Sequence, residues 1–334
     1  MTRLFDKRFL IVSGKGGTGK STLCAALALA AAARGQRVVV AELNVRPRIP
    51  AMFGVDSGGY APIPVHEGIE AIRITPEESM REYGVLKLRF KRIYRFVFEN
   101  ETMRGLTGML PGLKELLLLG KLHAMEGETV RRGQRPRWDT LIVDGPATGH
   151  CVSMFRLPAV ILEAVSAGPL ADDARRIQQL LQDETRTAFN IAAVPEEMAV
   201  QEATELSAKV TNVLKIHKGL ALLNMIWPPG LASGDEALLD HLRRSVARHD
   251  PVLAGLLSAI SESERRHRHQ EPMVQRMRER VGLPVIELPF LFARELNLAE
   301  ITHLSQRLDE KIERCESATR PGAPGCGYEE RELQ

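Results

Sequence analysis

The feature that most constrains this chain is a glycine-rich stretch from Gly14 to Thr22, which reads GKGGTGKST. It follows an apolar run, Phe9–Val12, and opens a segment rich in Ala and Leu. The first glycine, four further residues and then Gly-Lys-Ser match the spacing of a phosphate-binding loop between a strand and a helix. A glycine-rich turn without a ligand needs no lysine and hydroxyl at this spacing. The stretch therefore predicts a phosphate site.

The residue types in this loop suit a nucleotide and its metal ion. Lys20 is placed to reach the β- and γ-phosphate oxygens, and the Ser21 hydroxyl to ligate Mg²⁺ at a helix N-terminus, whose dipole favours negative charge. Asp144 ends another apolar strand and suits an acid that holds Mg²⁺, usually through water. We therefore predict ATP and Mg²⁺ as cofactors. The loop residues predicted to bind the nucleotide are Gly14, Gly16, Gly17, Thr18, Gly19, Lys20, Ser21 and Thr22.

The order of predicted elements is that of an α/β protein. Apolar runs recur along the chain, as is typical of parallel strands buried on both faces. Segments of strong helix formers lie between them. This β-α-β order predicts a mostly parallel sheet flanked by helices, with right-handed crossovers. The predicted strands are Phe9–Val12, Arg37–Ala41, Ile69–Ile74, Trp138–Asp144, Phe189–Val194, Gly219–Met225 and Val285–Pro289.

The composition is that of an ordinary globular chain, because 44% of the 334 residues are hydrophobic and 26% are charged. A formal net charge of +3 argues against a generalised nucleic-acid-binding surface, although it permits a local basic patch. The cysteines form no C-x-x-C pair, which favours a reduced, cytoplasmic protein. The N-terminus runs directly into the first strand, so we expect no signal peptide. No apolar run reaches the roughly 18 residues that a membrane span needs.

A second lysine, Lys15, directly follows the first glycine of the loop. The stretch therefore resembles the deviant Walker A motif of the ParA/MinD/ArsA group of P-loop ATPases. In those relatives the early lysine crosses a dimer interface to the nucleotide of the other subunit. The resemblance thus implies a nucleotide-bridged dimer and a catalytic role for Lys15. Surface lysines commonly stay solvated and do no more, and that alternative is open for Lys15.

The segment Asp144–His150 narrows the resemblance. Its sequence, DGPATGH, resembles the switch II motif Asp-x-x-Pro-Thr-Gly-His of the ArsA/Get-pathway ATPases, with departures at Gly145 and in the Pro-Ala order that follows. Residues Phe155–Pro158 match the continuation of that motif. The likeness covers nearly the whole chain to about Glu313. It implies a P-loop NTPase fold with a helical insert.

In the resembled family the strand end after Arg37–Ala41 carries the switch I aspartate, and that position falls on Asn44. An amide can hydrogen-bond a water but cannot act as a base, so we expect slow hydrolysis. The loss need not be total, because phosphoryl transfer depends mainly on positioning and electrostatics. Glu42 lies two residues earlier, on the same side of the strand. It is either a replacement catalytic carboxylate or a plain surface glutamate at the strand end.

The resemblance also implies contacts to the adenine base. Asn224 lies near the end of an apolar strand, and a side-chain amide can pair with adenine N1 and N6. The alternative is a turn-forming asparagine before a loop. Pro289 begins the loop that touches adenine in the family. A run of Arg and His, Arg265–His269, is interpreted as a solvated helix rather than a metal site, because its two histidines are two residues apart and share no helix face.

We expect one ATPase domain over residues 1–314 and a tail, 315–334, whose Ser, Pro and Gly content predicts disorder. Residues 76–135 are predicted to form the helical insert, with a basic amphipathic helix at Tyr83–Glu99 and a leucine-rich helix after Pro111-Gly112. These helices either pack on the core with solvated arginines or, as the resemblance implies, handle a hydrophobic helix of a client.

The resemblance implies a second copy of the chain, or a paralogue, as the dimer partner. No cysteine lies between Cys24 and Cys151, so a metalloid site is not expected, and the paired cysteines that join some targeting-ATPase dimers through zinc are lacking. Three functions stay open. They are an ATP-driven chaperone or targeting switch, a hydrolysis-poor regulatory subunit paired with an active paralogue, and a ParA/MinD-like positioning ATPase. A peripheral membrane contact fits the last of these better than nucleic acid, given the small net charge.

Overall fold

The computed structural model describes residues 3–43, 47–56, 59–88, 112–130, 135–229, 241–242, 244 and 250–318. Its strands are β1 (Phe9–Gly14), β2 (Val38–Glu42), β3 (Ile63–His66), β4 (Ile69–Arg73), β5 (Thr129–Val130), β6 (Arg135–Pro136), β7 (Thr140–Ala147), β8 (Thr187–Ala193), β9 (Lys218–Ile226) and β10 (Val285–Pro289). Its α-helices are α1 (Lys20–Ala33), α2 (Ile49–Met52), α3 (Pro76–Leu88), α4 (Leu113–Glu126), α5 (Thr148–Ala164), α6 (Pro169–Gln182), α7 (Glu197–Lys209), α8 (Pro251–Arg280) and α9 (Leu298–Ala318).

One eight-stranded sheet, in the order β10-β9-β8-β1-β7-β2-β4-β3, forms the centre of the molecule. Its neighbouring strands pair in parallel except β3 and β4, which are antiparallel. The short strands β5 and β6 form a separate antiparallel ladder. The architecture is therefore the mostly parallel α/β sheet flanked by helices that the sequence predicts.

Alternating residues of the central strand β1 feed two apolar cores, one on each face of the sheet. Phe9 and Ile11 belong to a core that includes residues of α4, α5, α6 and α7. Leu10 and Val12 belong to a second core that includes residues of α1 and α9. This alternation is the two-residue period of a strand. The sheet is thus a middle layer between two helical layers.

The helix that follows the glycine-rich loop, α1, is almost entirely buried, because α9 packs along it. α9 presents an apolar stripe at helical spacing, and its residues Ile301, Leu304, Leu308 and Ile312 are fully buried. α1 ends at Ala33, and Gly35 follows with a φ of 78°. Helices commonly end in this left-handed conformation, for which glycine carries no steric cost.

The ends of the predicted strands lie within three residues of those in the structure. β3 was not predicted, because the many Gly and Pro residues of the stretch 56–68 are typical of a loop. Gly68, with a φ of 74°, turns the chain back so that β3 pairs with β4. β9 ends at Ile226, one residue beyond the predicted end at Met225. α9 extends past residue 315, where the predicted tail begins, to Ala318. Residues 319–334 lie outside the described part of the chain.

Only part of the predicted insert is described. α3 begins at Pro76, with acidic residues in its first turn, and α4 buries leucines from Leu116 to Leu122 in the first core. For α4 the packing alternative is therefore correct. Of the predicted helix Tyr83–Glu99, only the helical backbone to Leu88 is described. Within the described residues no helix has both the length and the apolar character needed to cross a bilayer.

Candidate functional site

The glycine-rich loop lies at the carboxyl end of β1, where three neighbouring strands meet. Gly14 is paired in register with Ala147 of β7 and Ala192 of β8. A Cβ at Gly14 would lie 2.0 Å from the Ala192 carbonyl oxygen, so no other residue fits. Gly17 and Gly19 have φ angles of 86° and 82°, which favour glycine. The loop can therefore curl tightly before α1 begins.

The Lys20 side chain folds back over this loop. Its Nζ donates to the carbonyl oxygens of Gly14, at 3.2 Å, and Lys15, at 2.9 Å. Burial lowers the pKa of the Lys20 ammonium, and the carboxylate of Asp144 acts in the opposite direction. The ammonium thus sits among the loop residues, where phosphate oxygens would be its strongest partners.

Two residues predicted to hold a metal ion lie together. Ser21 Oγ donates to Asp144 Oδ2 at 2.6 Å, and the Asp144 side chain is completely buried. The register of β1 and β7 pairs Val12 with Asp144, which brings the carboxylate beside the loop. Hydroxyl and carboxylate oxygens are ligands that Mg²⁺ accepts. The donor set therefore fits a magnesium ion that also binds nucleotide phosphates.

A cleft of about 620 Å³ opens over the loop. Its lining combines loop residues with residues from three other segments. It is lined by Gly16, Gly17, Gly19, Lys20, Ser21, Thr22, Arg48, Met52, Ala147 and Met225. Arg48, Met52 and Met225 are absent from the sequence predictions. The signal that could identify Arg48 is its place in the segment after β2, since ligands of open α/β sheets bind at the carboxyl edge.

The surface alternative for Glu42 is wrong, because its side chain is completely buried. Its Oε1 accepts hydrogen bonds from the backbone N–H groups of Arg48, at 2.6 Å, and Ile49, at 3.1 Å. Desolvation raises the pKa of Glu42 to about 7 despite these two bonds. Glu42 anchors the start of α2 and is not among the residues that line the cleft. Asn44 lies outside the described residues.

Lys15 is not a simply solvated lysine. Its Nζ forms an ion pair of 3.0 Å with Oε1 of Glu202 on α7. The other oxygen of Glu202 accepts from Thr148 Oγ1 at 2.9 Å. Both bonds lower the pKa of the Glu202 carboxyl, and the bond from Lys15 has the larger effect. One carboxylate thus joins the phosphate loop to the start of α5, and sequence analysis contains no signal for that contact.

The switch II segment continues from β7 into α5. A Cβ at Gly145 would lie 2.9 Å from the Val12 carbonyl oxygen, which accounts for glycine where the resembled family has a larger residue. Ser13 Oγ donates to the Pro146 carbonyl oxygen at 2.7 Å. His150 is exposed, and its Nε2 lies 3.7 Å from Oε1 of Glu115 on α4. The segment therefore contacts both the phosphate loop and the predicted insert.

Asn224 lies two residues before the end of β9, near the strand end as predicted, and it is buried. Its Nδ2 donates to the Thr18 carbonyl oxygen at 3.1 Å. The amide therefore supports the phosphate loop, and the adenine contact of Asn224 stays a prediction.

Pro289 ends β10, and the next residue belongs to an aromatic cluster. Phe290 stacks on Trp227, with ring centroids 5.0 Å apart. The Arg266 guanidinium lies 4.4 Å from the Trp227 ring, and His267 Nδ1 is 2.7 Å from the Trp227 carbonyl oxygen. Part of the Arg/His run therefore packs against this cluster instead of being wholly solvated. The adenine contact of Pro289 stays a prediction.

Comparison with known proteins agrees with this geometry. A family model described as anion-transporting ATPase matches residues 7–167, which contain both the phosphate loop and the switch II segment. The chain is 27% identical to the ATPase BagA of Mycobacterium tuberculosis over 93% of this chain and 95% of that protein. It is 22% identical to an arsenical pump-driving ATPase of Acidiphilium multivorum, over 76% of this chain and 45% of that protein.

A third relative, the ATPase ARSA1 of Chlamydomonas reinhardtii, is 23% identical over 77% of this chain and 40% of its own length. The likeness to BagA thus spans both chains almost entirely, whereas the last two relatives are about twice as long as the aligned part. The chain is thus similar to ArsA-like members of the anion-transporting ATPase family, and the match to the family model covers residues 7–167.

Proposed function

We propose that this chain binds ATP with Mg²⁺ in the cleft over the glycine-rich loop and hydrolyses it slowly as a dimeric nucleotide switch. The observation that carries the proposal is the grouping at that cleft. Lys20 lies over the loop, and the hydrogen-bonded pair of Ser21 and Asp144 lies beside it.

The residues of the loop have separate tasks in this proposal. Backbone N–H groups of the loop surround the phosphates, as its left-handed glycines allow. Lys20 exchanges its two carbonyl partners for β- and γ-phosphate oxygens. Ser21 and Asp144 would hold Mg²⁺, which supplies neutralisation of charge on the phosphates when it is bound.

The dimer depends on Lys15. To reach a nucleotide in a second subunit, Lys15 must leave Glu202, and that departure frees Glu202 from one of its two partners. Because Thr148 shares the same carboxylate, the position of Lys15 and the position of the switch II segment are coupled. The dimer partner is a second copy of the chain or a paralogue.

The switch II segment offers a route from the nucleotide to the insert. His150 lies next to Glu115 of α4, so a shift of the segment after ATP binding changes a contact of that helix. We propose that the insert, residues 76–135, presents a surface for a hydrophobic helix of a client or partner, to which the core-packed leucines of α4 do not contribute. This part of the proposal rests on the family resemblance.

A hydrolysis-poor regulatory subunit is the second candidate function, and the burial of Glu42 favours it. The carboxylate expected to replace the switch I aspartate is occupied with two backbone N–H groups and does not line the cleft. Such a chain would bind ATP and act through its conformation rather than through turnover.

Phosphate release from ATP by the purified chain tests the proposal. Lys20→Ala and Asp144→Asn should each lower turnover by about 100-fold, the usual effect of removing one group that stabilises developing charge. The exposed Lys209→Ala variant is the control and should match the wild type. ATP binding with turnover no faster than that of Lys20→Ala would identify the regulatory subunit. A folded wild type that neither binds nor hydrolyses ATP would overturn both candidates.

A further inference from the structure

Arg48 lines the nucleotide cleft, although it does not belong to the phosphate-loop motif. It lies just before α2 and lines the same cleft as Lys20 and Ser21. Its side chain is exposed, and the structure gives its guanidinium no hydrogen-bond or ion-pair partner among the described residues. By contrast, Arg37, directly before β2, is paired with Asp139 at 2.7 Å.

Arg48 lies near a second positive charge. Burial is the main cause that lowers the pKa of Lys20, the carboxylate of Asp144 acts in the opposite direction, and the Arg48 guanidinium adds a small lowering effect. Two cations that line one cleft disfavour each other, and an anion bound between them offsets that repulsion. A polyphosphate is the anion that this cleft fits, because its loop already has the phosphate-binding spacing.

The backbone of Arg48 is held in place by the side chain of Glu42. Its N–H donates to the completely buried carboxyl of Glu42 at 2.6 Å, and the next N–H, of Ile49, donates to the same oxygen at 3.1 Å. Pro47 and Pro50 lie on either side and restrict the backbone further. Such preorganisation reduces the entropy that is lost when a side chain binds its ligand.

We propose that Arg48 binds the terminal phosphate of ATP in its own subunit, and that Glu42 is the positioning residue that presents it. This inference rests on the proposed function of the cleft. The planar guanidinium can donate two parallel hydrogen bonds to phosphate oxygens, whereas Lys20 contacts them as a point charge. In this arrangement Arg48 would contact the nucleotide, whereas Glu42 would act only by holding the backbone of Arg48.

Calorimetric titration with ATP and with ADP, each in the presence of Mg²⁺, tests the role of Arg48. Arg48→Ala should weaken ATP binding by about 10- to 100-fold, as expected for lost hydrogen bonds to a charged group, and ADP binding by much less. Arg48→Lys should bind ATP more tightly than Arg48→Ala but less tightly than wild type, because lysine keeps the charge but lacks the planar pair of donors of a guanidinium. The exposed Arg307→Ala variant is the control. Unchanged ATP affinity in Arg48→Ala, or an equal loss for ATP and ADP, would overturn the proposal.

The role of Glu42 is tested by combining variants. Glu42→Ala should lower ATP affinity as much as Arg48→Ala, and the double variant should be no weaker than either single one, because both act through the same contact. Glu42→Gln retains an oxygen acceptor for the two N–H groups and should keep ATP affinity within about twofold. Additive losses in the double variant would contradict the positioning role. Glu42→Gln binding as weakly as Arg48→Ala would contradict it too.

The same titrations distinguish failure of the Arg48 inference from failure of the proposed ATP site. If the cleft does not bind ATP, wild type and Lys20→Ala will show the same absence of heat with either nucleotide. If only the inference fails, wild type will bind ATP, Lys20→Ala will not, and Arg48→Ala will either behave as wild type or lose affinity for ATP and ADP equally.

Discussion

The glycines of the phosphate loop differ in what a side chain would meet. At Gly19 a Cβ would lie 2.4 Å from Asn224 Nδ2, and the backbone is left-handed. At Gly16 nothing lies within 4 Å, and φ is not in the left-handed region. The loop conformation therefore depends on Gly19 far more than on Gly16, although both occur in the motif.

Gly19→Ala should destabilise the protein and weaken ATP binding. A left-handed non-glycine residue costs about 1–2 kcal/mol, and the new methyl group must also displace the buried amide of Asn224. Urea unfolding measures the first effect and nucleotide titration the second. Gly16→Ala is the matched control, and its free energy of unfolding should equal that of the wild type. Equal stability of the two variants would contradict this view of the loop.

The buried cysteines should be chemically inert in the folded protein. Cys24 and Cys151 are fully buried, and desolvation raises the pKa of Cys151 to about 12 and that of Cys24 well above its usual value. The thiolate is the reactive form of cysteine, and both thiols stay protonated at pH 8 because their pKa values are raised. Neither should therefore be alkylated in the folded protein at that pH. In a Cys315→Ala/Cys326→Ala variant, a thiol reagent should label the protein only after denaturation. Rapid labelling of the native variant would show that one of these sites opens.

At the scale of elements, two contacts connect the loop to helices distant in sequence. Glu202 of α7 holds Lys15 and Thr148 together, and α9 covers α1 directly behind the loop. The first contact is polar and partly exposed, so it can open at a small cost. The second is apolar and closed, so it should persist throughout a nucleotide cycle.

Releasing Lys15 should favour the dimer. Glu202→Gln removes the charge that holds Lys15 in its own subunit, so ATP should produce more dimer than in the wild type, whereas Lys15→Ala should prevent dimer formation. Sedimentation velocity with and without ATP measures both. Glu205→Gln, an exposed change one helical turn from Glu202, is the control. A monomer under all conditions would contradict the role given to Lys15.

Truncating the α9 stripe should destabilise the whole domain. Leu308 is fully buried against the second core, so Leu308→Ala should lower the free energy of unfolding by about 2–5 kcal/mol. The neighbouring Arg307→Ala, on the exposed side of α9, should change it by less than about 0.5 kcal/mol. Chemical denaturation of the two variants measures the difference. A small effect of Leu308→Ala would show that α9 is not integral to the fold.

At the scale of the whole molecule, the sheet and the phosphate loop were predictable because their signals are local. An apolar run such as Phe9–Val12 fits a central parallel strand and little else, and the loop motif fixes the spacing of Lys20 and Ser21. Ser21 and Asp144 were both predictable as candidate metal ligands, because one belongs to the loop motif and the other ends an apolar strand.

The remaining features of the site depend on long-range packing. The contact between Lys15 and Glu202 joins residues that are distant in sequence, so the hydrophobic periodicity of the sequence does not predict it. Glu42 has the same sequence context whether its carboxyl meets solvent or the start of α2. The place of Arg48 in the cleft depends on how the segment after β2 folds back, which proline spacing alone does not specify.

The most direct test of this account is a calorimetric titration of ATP, with Mg²⁺, into the folded wild type and Lys20→Ala. We predict saturable binding of one ATP per wild-type chain and loss of that binding in the variant, with unfolding curves showing that both proteins are folded. Equal affinity in the two proteins, or no binding to the folded wild type, would contradict the assignment of the cleft as a nucleotide site.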